Sequence, residues 1–134
     1  MSRRPYTRPT IATAEDGCCY EKAALAVLDG TTPFGDPRVV HGRPTLQRPP
    51  FCQYGHAWVE NRWGDTVFDP TTDFVGPAVI YYALGRIDLD DCRRYDRAAV
   101  RRAIVETEVW GPWEDAASSN GQGRTAKDGK EVRA

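Results

Sequence analysis

The chain has no charge excess of either sign: 18 Lys and Arg stand against 19 Asp and Glu in 134 residues, with a pI near 6.1. Without a global field, neither nucleic acid nor an anionic membrane is an expected partner. The local runs Arg3-Arg4 and Arg93-Arg94 read as solvated surface. No apolar run approaches the roughly 20 residues that cross a bilayer. The opening Met1-Ser2-Arg3-Arg4-Pro5 lacks the apolar segment of a secretory signal, which points to the cytoplasm. There is no Cys-x-x-Cys pair among Cys18, Cys19, Cys52 and Cys92, so a zinc ribbon or redox motif gains no support. Adjacent cysteines rarely bridge each other, and a reducing compartment is expected. The spacing of Cys18, Cys52, His41 and His56 gives no argument for a metal site, and no cofactor is expected.

What the chain does have is a pair of aromatic and β-branched runs. Tyr54-Gly55-His56-Ala57-Trp58-Val59-Glu60 and Val67-Phe68-Asp69-Pro70 both alternate, and both read as strands. Asn61-Arg62-Trp63-Gly64 joins them as a connection of hairpin length. With Glu60 and Asp65 flanking that loop as partners, Trp58 faces Val67 and His56 faces Asp69. Directly opposed residues share a face, about 4.5–5.5 Å apart at Cβ. This register sets a carboxylate beside an imidazole, which orients the ring and stabilises its charged form.

A nucleophile stands upstream. Gly17-Cys18-Cys19-Tyr20 leads into Ala23-Ala24-Leu25-Ala26-Val27-Leu28, with Gly30 where a helix C-cap falls and Asp16 or a neighbour at the N-cap. Cys19, Ala23 and Val27 recur every four residues and share one face. That spacing turns Cys19 toward whatever the helix packs on and rotates Cys18 away. Unpaired N–H groups and the dipole at a helix start favour a thiolate there. Free cysteines are in general often small buried hydrophobes; the histidine and aspartate on the later hairpin favour a chemical role for Cys19.

The rest of the chain supplies a frame. Residues 1–14 read as an extended lead-in. Residues 38–42 read as a short strand ending in His41-Gly42, with His41 in a structural role. The proline-rich residues 43–52 form a loop leading to the histidine strand, a candidate substrate wall with Gln47, Arg48, Phe51 and Gln53 available. Residues 71–77 read as a turn, 78–84 as a short helix with Pro77 near its first turn, and 87–95 as a last extended segment. Tyr81 and Tyr82 read as packing residues. Asp96 is an N-cap for a helix through Glu108, with Val100, Ala103, Ile104 and Thr107 on one face. Trp110-Gly111-Pro112-Trp113 pins the end of the fold to its body. Residues 15–114 thus form a single domain, and residues 115–134 have the composition of a disordered tail.

Gly17, Cys19, Ala23, the run His56-Ala57-Trp58-Val59-Glu60 and Asp69-Pro70-Thr71 together resemble the transglutaminase-like branch of papain-like cysteine enzymes, over residues 15–73. The whole chain, with its Gly111-Pro112-Trp113 ending, is also similar to small bacteriophage proteins. The first resemblance implies an α+β fold, with a cysteine-bearing helix packed on a small antiparallel sheet and a further C-terminal helix. It implies acyl transfer: the Cys19 thiolate attacks an amide carbonyl, His56 takes the thiol proton and later protonates the leaving amine, and Asp69 holds the imidazole. Water resolving the thioester makes a protease or amidase, and an amine makes a transamidase. One departure stands out. Papain-like proteases place a glutamine shortly before the nucleophile to hold the oxyanion, and none lies between Met1 and Cys19. Gln53 or Tyr54 would have to assist the backbone N–H of Cys19.

The expectation is therefore a monomeric cysteine hydrolase or acyltransferase acting on a protein or peptide substrate. Cys19, His56 and Asp69 are its catalytic residues, and Gln53, Tyr54 and Trp58 its candidates for substrate contact. The rival expectation is a non-catalytic phage accessory module that keeps this fold and binds a host protein in the host cytoplasm. The segment Arg93–Arg102, the proline-rich loop or the tryptophan end would then be its contact surface.

Overall fold

In this computed structural model, which describes residues 18–113, the cysteine-bearing helix forms over Cys19–Asp29 (α1). The stripe that the four-residue spacing predicts is its inner face: Cys19, Ala23 and Val27 are all fully buried, whereas Cys18 is half-buried. Gly30 closes the helix with φ near +70°, donating its N–H to Ala26 O. The lead-in over 1–14, the Asp16 cap, Gly17 and the tail over 115–134 lie outside the described residues.

Five strands follow: Arg38–Gly42 (β1), His56–Glu60 (β2), Thr66–Asp69 (β3), Phe74–Pro77 (β4) and Arg93–Tyr95 (β5). They form one antiparallel sheet in the order β4-β3-β2-β1-β5. The helices Ala78–Gly85 (α2) and Arg97–Thr107 (α3) complete an α+β fold of three helices and five strands among the described residues. No described helix is long and apolar enough to cross a membrane.

The central strand β2 is buried at all five positions because both faces of the sheet are covered. Ala57 and Val59 join Val39 and Tyr95 in a core with α1 and α3, sealed by Trp113. Trp58 joins Val40 and Val67 in a second core under α2, with Ala78, Tyr82 and Cys92. Asp96 caps α3 as its sequence position predicts, its carboxylate accepting from Ala99 N–H at 2.9 Å. Val100 and Ala103 turn inward, and Trp113 does pin the chain end, donating its indole N–H to Val109 O at 2.8 Å.

Three sequence expectations are corrected. Residues 74–77 are not part of a turn but the edge strand β4, paired to β3 from Asp69↔Phe74 to Thr66↔Pro77. Gly76 and Pro77 read as breakers, yet an edge strand tolerates both, since one side of its ladder is unused. The extended segment over 87–95 is broken by a short 3₁₀ turn at Leu89–Asp91, started by Asp88 accepting from Asp90 N–H. The hairpin register is shifted by two residues: Val67, not Asp65, lies opposite Glu60, and Phe68 opposite Val59. The cause is Asn61, whose side-chain carbonyl accepts from Asp65 N–H at 3.0 Å and Thr66 N–H at 3.3 Å, drawing Asp65 into the loop.

Candidate active site

The register shift leaves the histidine–aspartate pair intact. A slip of one residue would have put the two on opposite faces, but a slip of two keeps them on the same one. They become diagonal neighbours, still within reach of long side chains. His56 Nε2 donates to Asp69 Oδ2 at 2.9 Å, with both side chains almost fully buried. Both Asp69 oxygens are engaged: Oδ2 also accepts from the Tyr81 hydroxyl at 2.6 Å, and Oδ1 from Thr71 N–H at 2.9 Å. Burial works against the carboxylate, but His56, Tyr81 and Thr71 outweigh it and hold its pKa below the usual range.

Cys19 approaches from the other side of the sheet. Its helix packs on the face of Ala57 and Val59, whereas His56 shares the face of Trp58. The two meet because His56 is the first residue of β2 and the start of α1 lies against that strand end. Gly55 marks the approach: a Cβ there would lie 2.5 Å from the Tyr20 hydroxyl oxygen, so only glycine admits Tyr20 and, with it, the first turn of α1. Burial pushes the His56 ring toward its neutral form. The hydrogen bond and charge of Asp69, together with the nearby Cys19, overcome that and raise its pKa to about 9. Its other nitrogen, Nδ1, is buried without a hydrogen-bond partner. With Nε2 engaged by Asp69, Nδ1 is the ring atom left to exchange a proton with a thiol.

The candidates for substrate contact divide. Trp58 is fully buried, its indole N–H bound to Glu60 Oε2 at 2.9 Å, so it is a wall behind His56 with no surface to offer. Gln53 is exposed and donates to Arg43 O at 3.3 Å, within the loop bridge Thr45↔Gln53. Tyr54 is half-buried with its ring centroid 5.8 Å from that of His56, which leaves it the one of the three beside the centre with accessible surface. Phe51 lies exposed at the loop tip. Among the described residues no group of three or more His, Cys, Asp or Glu is placed to hold a metal ion.

Two further features of the site were not read from the sequence. Tyr81 is a member of the His56–Asp69 group and not only a packing residue. Beside it, on the same sheet face, Glu60 is buried with Trp58, Tyr82 and Arg94, the guanidinium Nε lying 3.1 Å from Oε1. The glutamate that ends the apolar run Ala57-Trp58-Val59 was the one signal for this second cluster. The other histidine, His41, is buried among Tyr20, Tyr95 and Trp113, each ring centroid 4.9 Å away, as a structural residue. Burial, with the positive charge of Arg93, lowers its pKa to about 3.

Comparison of the chain with protein families, with curated proteins and with solved structures finds no match to any of them. The functional reading therefore rests on the geometry of the site.

Proposed function

We propose that the protein is a cysteine hydrolase or acyltransferase acting on amide bonds, with Cys19 as nucleophile, His56 as proton carrier and Asp69 as the group that holds the imidazole. The observation that carries this reading is the division of the His56 ring: Nε2 on Asp69, Nδ1 unpartnered, and Cys19 among the groups acting on it. With both nitrogens protonated near neutral pH, the ring stabilises a thiolate beside it. Sulfur attacks the carbonyl carbon, and the C–N bond breaks as His56 delivers its Nδ1 proton to the leaving amine. Water or a second amine then resolves the thioester. A papain-like or transglutaminase-like core is part of the same proposal, as is a protein or peptide substrate. The α+β frame and the cysteine-bearing helix support it.

The complete burial of Cys19 favours a second reading, a non-catalytic module that retains the group as a buried polar cluster and binds a partner protein. Alkylation separates the two. An enzyme of this type is labelled by iodoacetamide at Cys19 at pH 6, ahead of Cys18, Cys52 and Cys92, and Cys19→Ala abolishes amide cleavage or thioester capture while Cys18→Ala retains it. Equal labelling of the four cysteines, or faster labelling of exposed Cys52 alone, selects the binding module.

A further inference from the structure

Oδ2 of Asp69 serves two donors at once. The His56 ring reaches it at 2.9 Å and the Tyr81 hydroxyl at 2.6 Å. We propose that Tyr81 is a positioning residue of this centre, whose hydroxyl, by sharing that oxygen with His56, sets how tightly the carboxylate grips the imidazole. The consequence for proton delivery rests on the function proposed above; the relation among the three side chains does not.

The chain builds this contact locally. Tyr81 lies twelve positions after Asp69, and the segment between them makes one compact unit. A turn closed by Asp73 N–H on Asp69 O at 2.7 Å leads into β4, whose Phe74 pairs with Asp69 itself. Then α2 starts, with Ala78 N–H held by Asp65 O at 2.9 Å. The phenol ring is clamped between Trp58 and Phe74, each centroid 5.2 Å away, so its hydroxyl has a fixed aim. Burial, then the charge and hydrogen bond of Asp69, push its pKa far upward, so it stays a neutral donor at any pH of interest.

The groups around the pair come from every neighbouring element. Cys19 faces it from α1, Tyr54 from the proline-rich loop, Thr71 N–H from the turn after β3, and Tyr82 lies beside Tyr81 on α2. Of the side chains hydrogen-bonded to Asp69, only Tyr81 draws charge from the carboxylate without itself changing protonation state. Removing its O–H leaves more negative charge facing the ring. His56 then holds its proton harder and gives it up to a leaving amine more slowly.

The test is an NMR titration of the His56 ring in the unaltered protein, in Tyr81→Phe and in Tyr82→Phe. Tyr81→Phe keeps the packed ring and deletes the donor. It is expected to raise the His56 midpoint by roughly half a unit to one unit, while Tyr82→Phe, which loses a bond to Glu60 instead, leaves it in place. A midpoint that stays or falls in Tyr81→Phe overturns the proposal. Should that variant fail to fold, the unaltered protein decides: a downfield Tyr81 hydroxyl proton with cross-relaxation to the His56 ring N–H is expected, and absence of that cross-peak overturns it. The midpoint is read independently of thiol reactivity. Unreactive Cys19 with a shifted midpoint sinks the catalytic reading alone, and reactive Cys19 with an unmoved midpoint sinks the role of Tyr81 alone.

Discussion

The indole N–H of Trp58 donates to Oε2 of Glu60, two residues further along the same strand, at 2.9 Å. Strand alternation puts both on the face covered by α2, where Glu60 also accepts from the Tyr82 hydroxyl and from Arg94. The same indole flanks His56 at 6.0 Å and Tyr81 at 5.2 Å between ring centroids. Glu60 thus fixes the wall on which the histidine–aspartate group rests. Glu60→Leu takes from Arg94 the carboxylate 3.1 Å away, and from Trp58 and Tyr82 their acceptor, and is expected to cost about 3–5 kcal/mol. Urea denaturation reads the loss, and the double change Glu60→Leu with Arg94→Leu should recover much of it, because both charges of the pair are then removed together.

Asp69→Asn removes the charge that keeps His56 protonated against the effect of burial. The His56 midpoint should fall below that of the unaltered protein, and iodoacetamide labelling of Cys19 at pH 6 should slow by at least about tenfold. Unchanged labelling would show that the thiol is indifferent to the pair.

Stability should peak near pH 6.5 and fall on both sides. His41 has a folded pKa of about 3 against an ordinary 6.5. As pH drops below 6.5 the unfolded chain takes up a proton that the folded chain refuses, so stability declines toward pH 3. His56 has a folded pKa of about 9 against the same 6.5. Its contribution is complete below 6.5 and is lost as pH rises to 9. Asp69, held below its ordinary 3.8, adds a further loss as pH falls through that value and beyond. Each histidine limb has a slope approaching about 1.4 kcal/mol per pH unit. Urea midpoints at pH 5, 6.5 and 8.5 check this. His41→Phe should flatten the acid limb and His56→Gln the alkaline one.

Gly55→Ala places a methyl group 2.5 Å from the Tyr20 hydroxyl oxygen. Tyr20 must move, and the first turn of α1 with it, at an expected cost of about 1–3 kcal/mol. Gly35→Ala, where nothing lies within 4 Å, serves as the control and should change stability by less than about 0.5 kcal/mol. If the site is reactive, Gly55→Ala should also weaken the preference of iodoacetamide for Cys19, read by mapping the labelled cysteine.

Much of the frame was legible in residue order. The stripe of Cys19, Ala23 and Val27, the Gly30 cap, the strand over 38–42 and the Asp96 cap depend on periods and dihedral preferences that act within one element. The nearness of His56 to Asp69 survived a wrong register because a two-residue error preserves the face.

Other relationships needed the assembled sheet. Whether Asp65 belongs to a loop or a strand turned on one Asn61 carboxamide, and β4 is a strand only because β3 offered it an edge. Tyr81 gave no sequence sign of meeting Asp69, nor Arg94 of meeting Glu60, nor His41 of meeting Trp113. The sequence by itself determined which stretches coil or extend and which side of each turns inward, since those choices are made between near neighbours along the chain. Only the tertiary structure decided which buried polar groups satisfy one another, because that depends on how elements far apart in the chain are stacked when water is excluded.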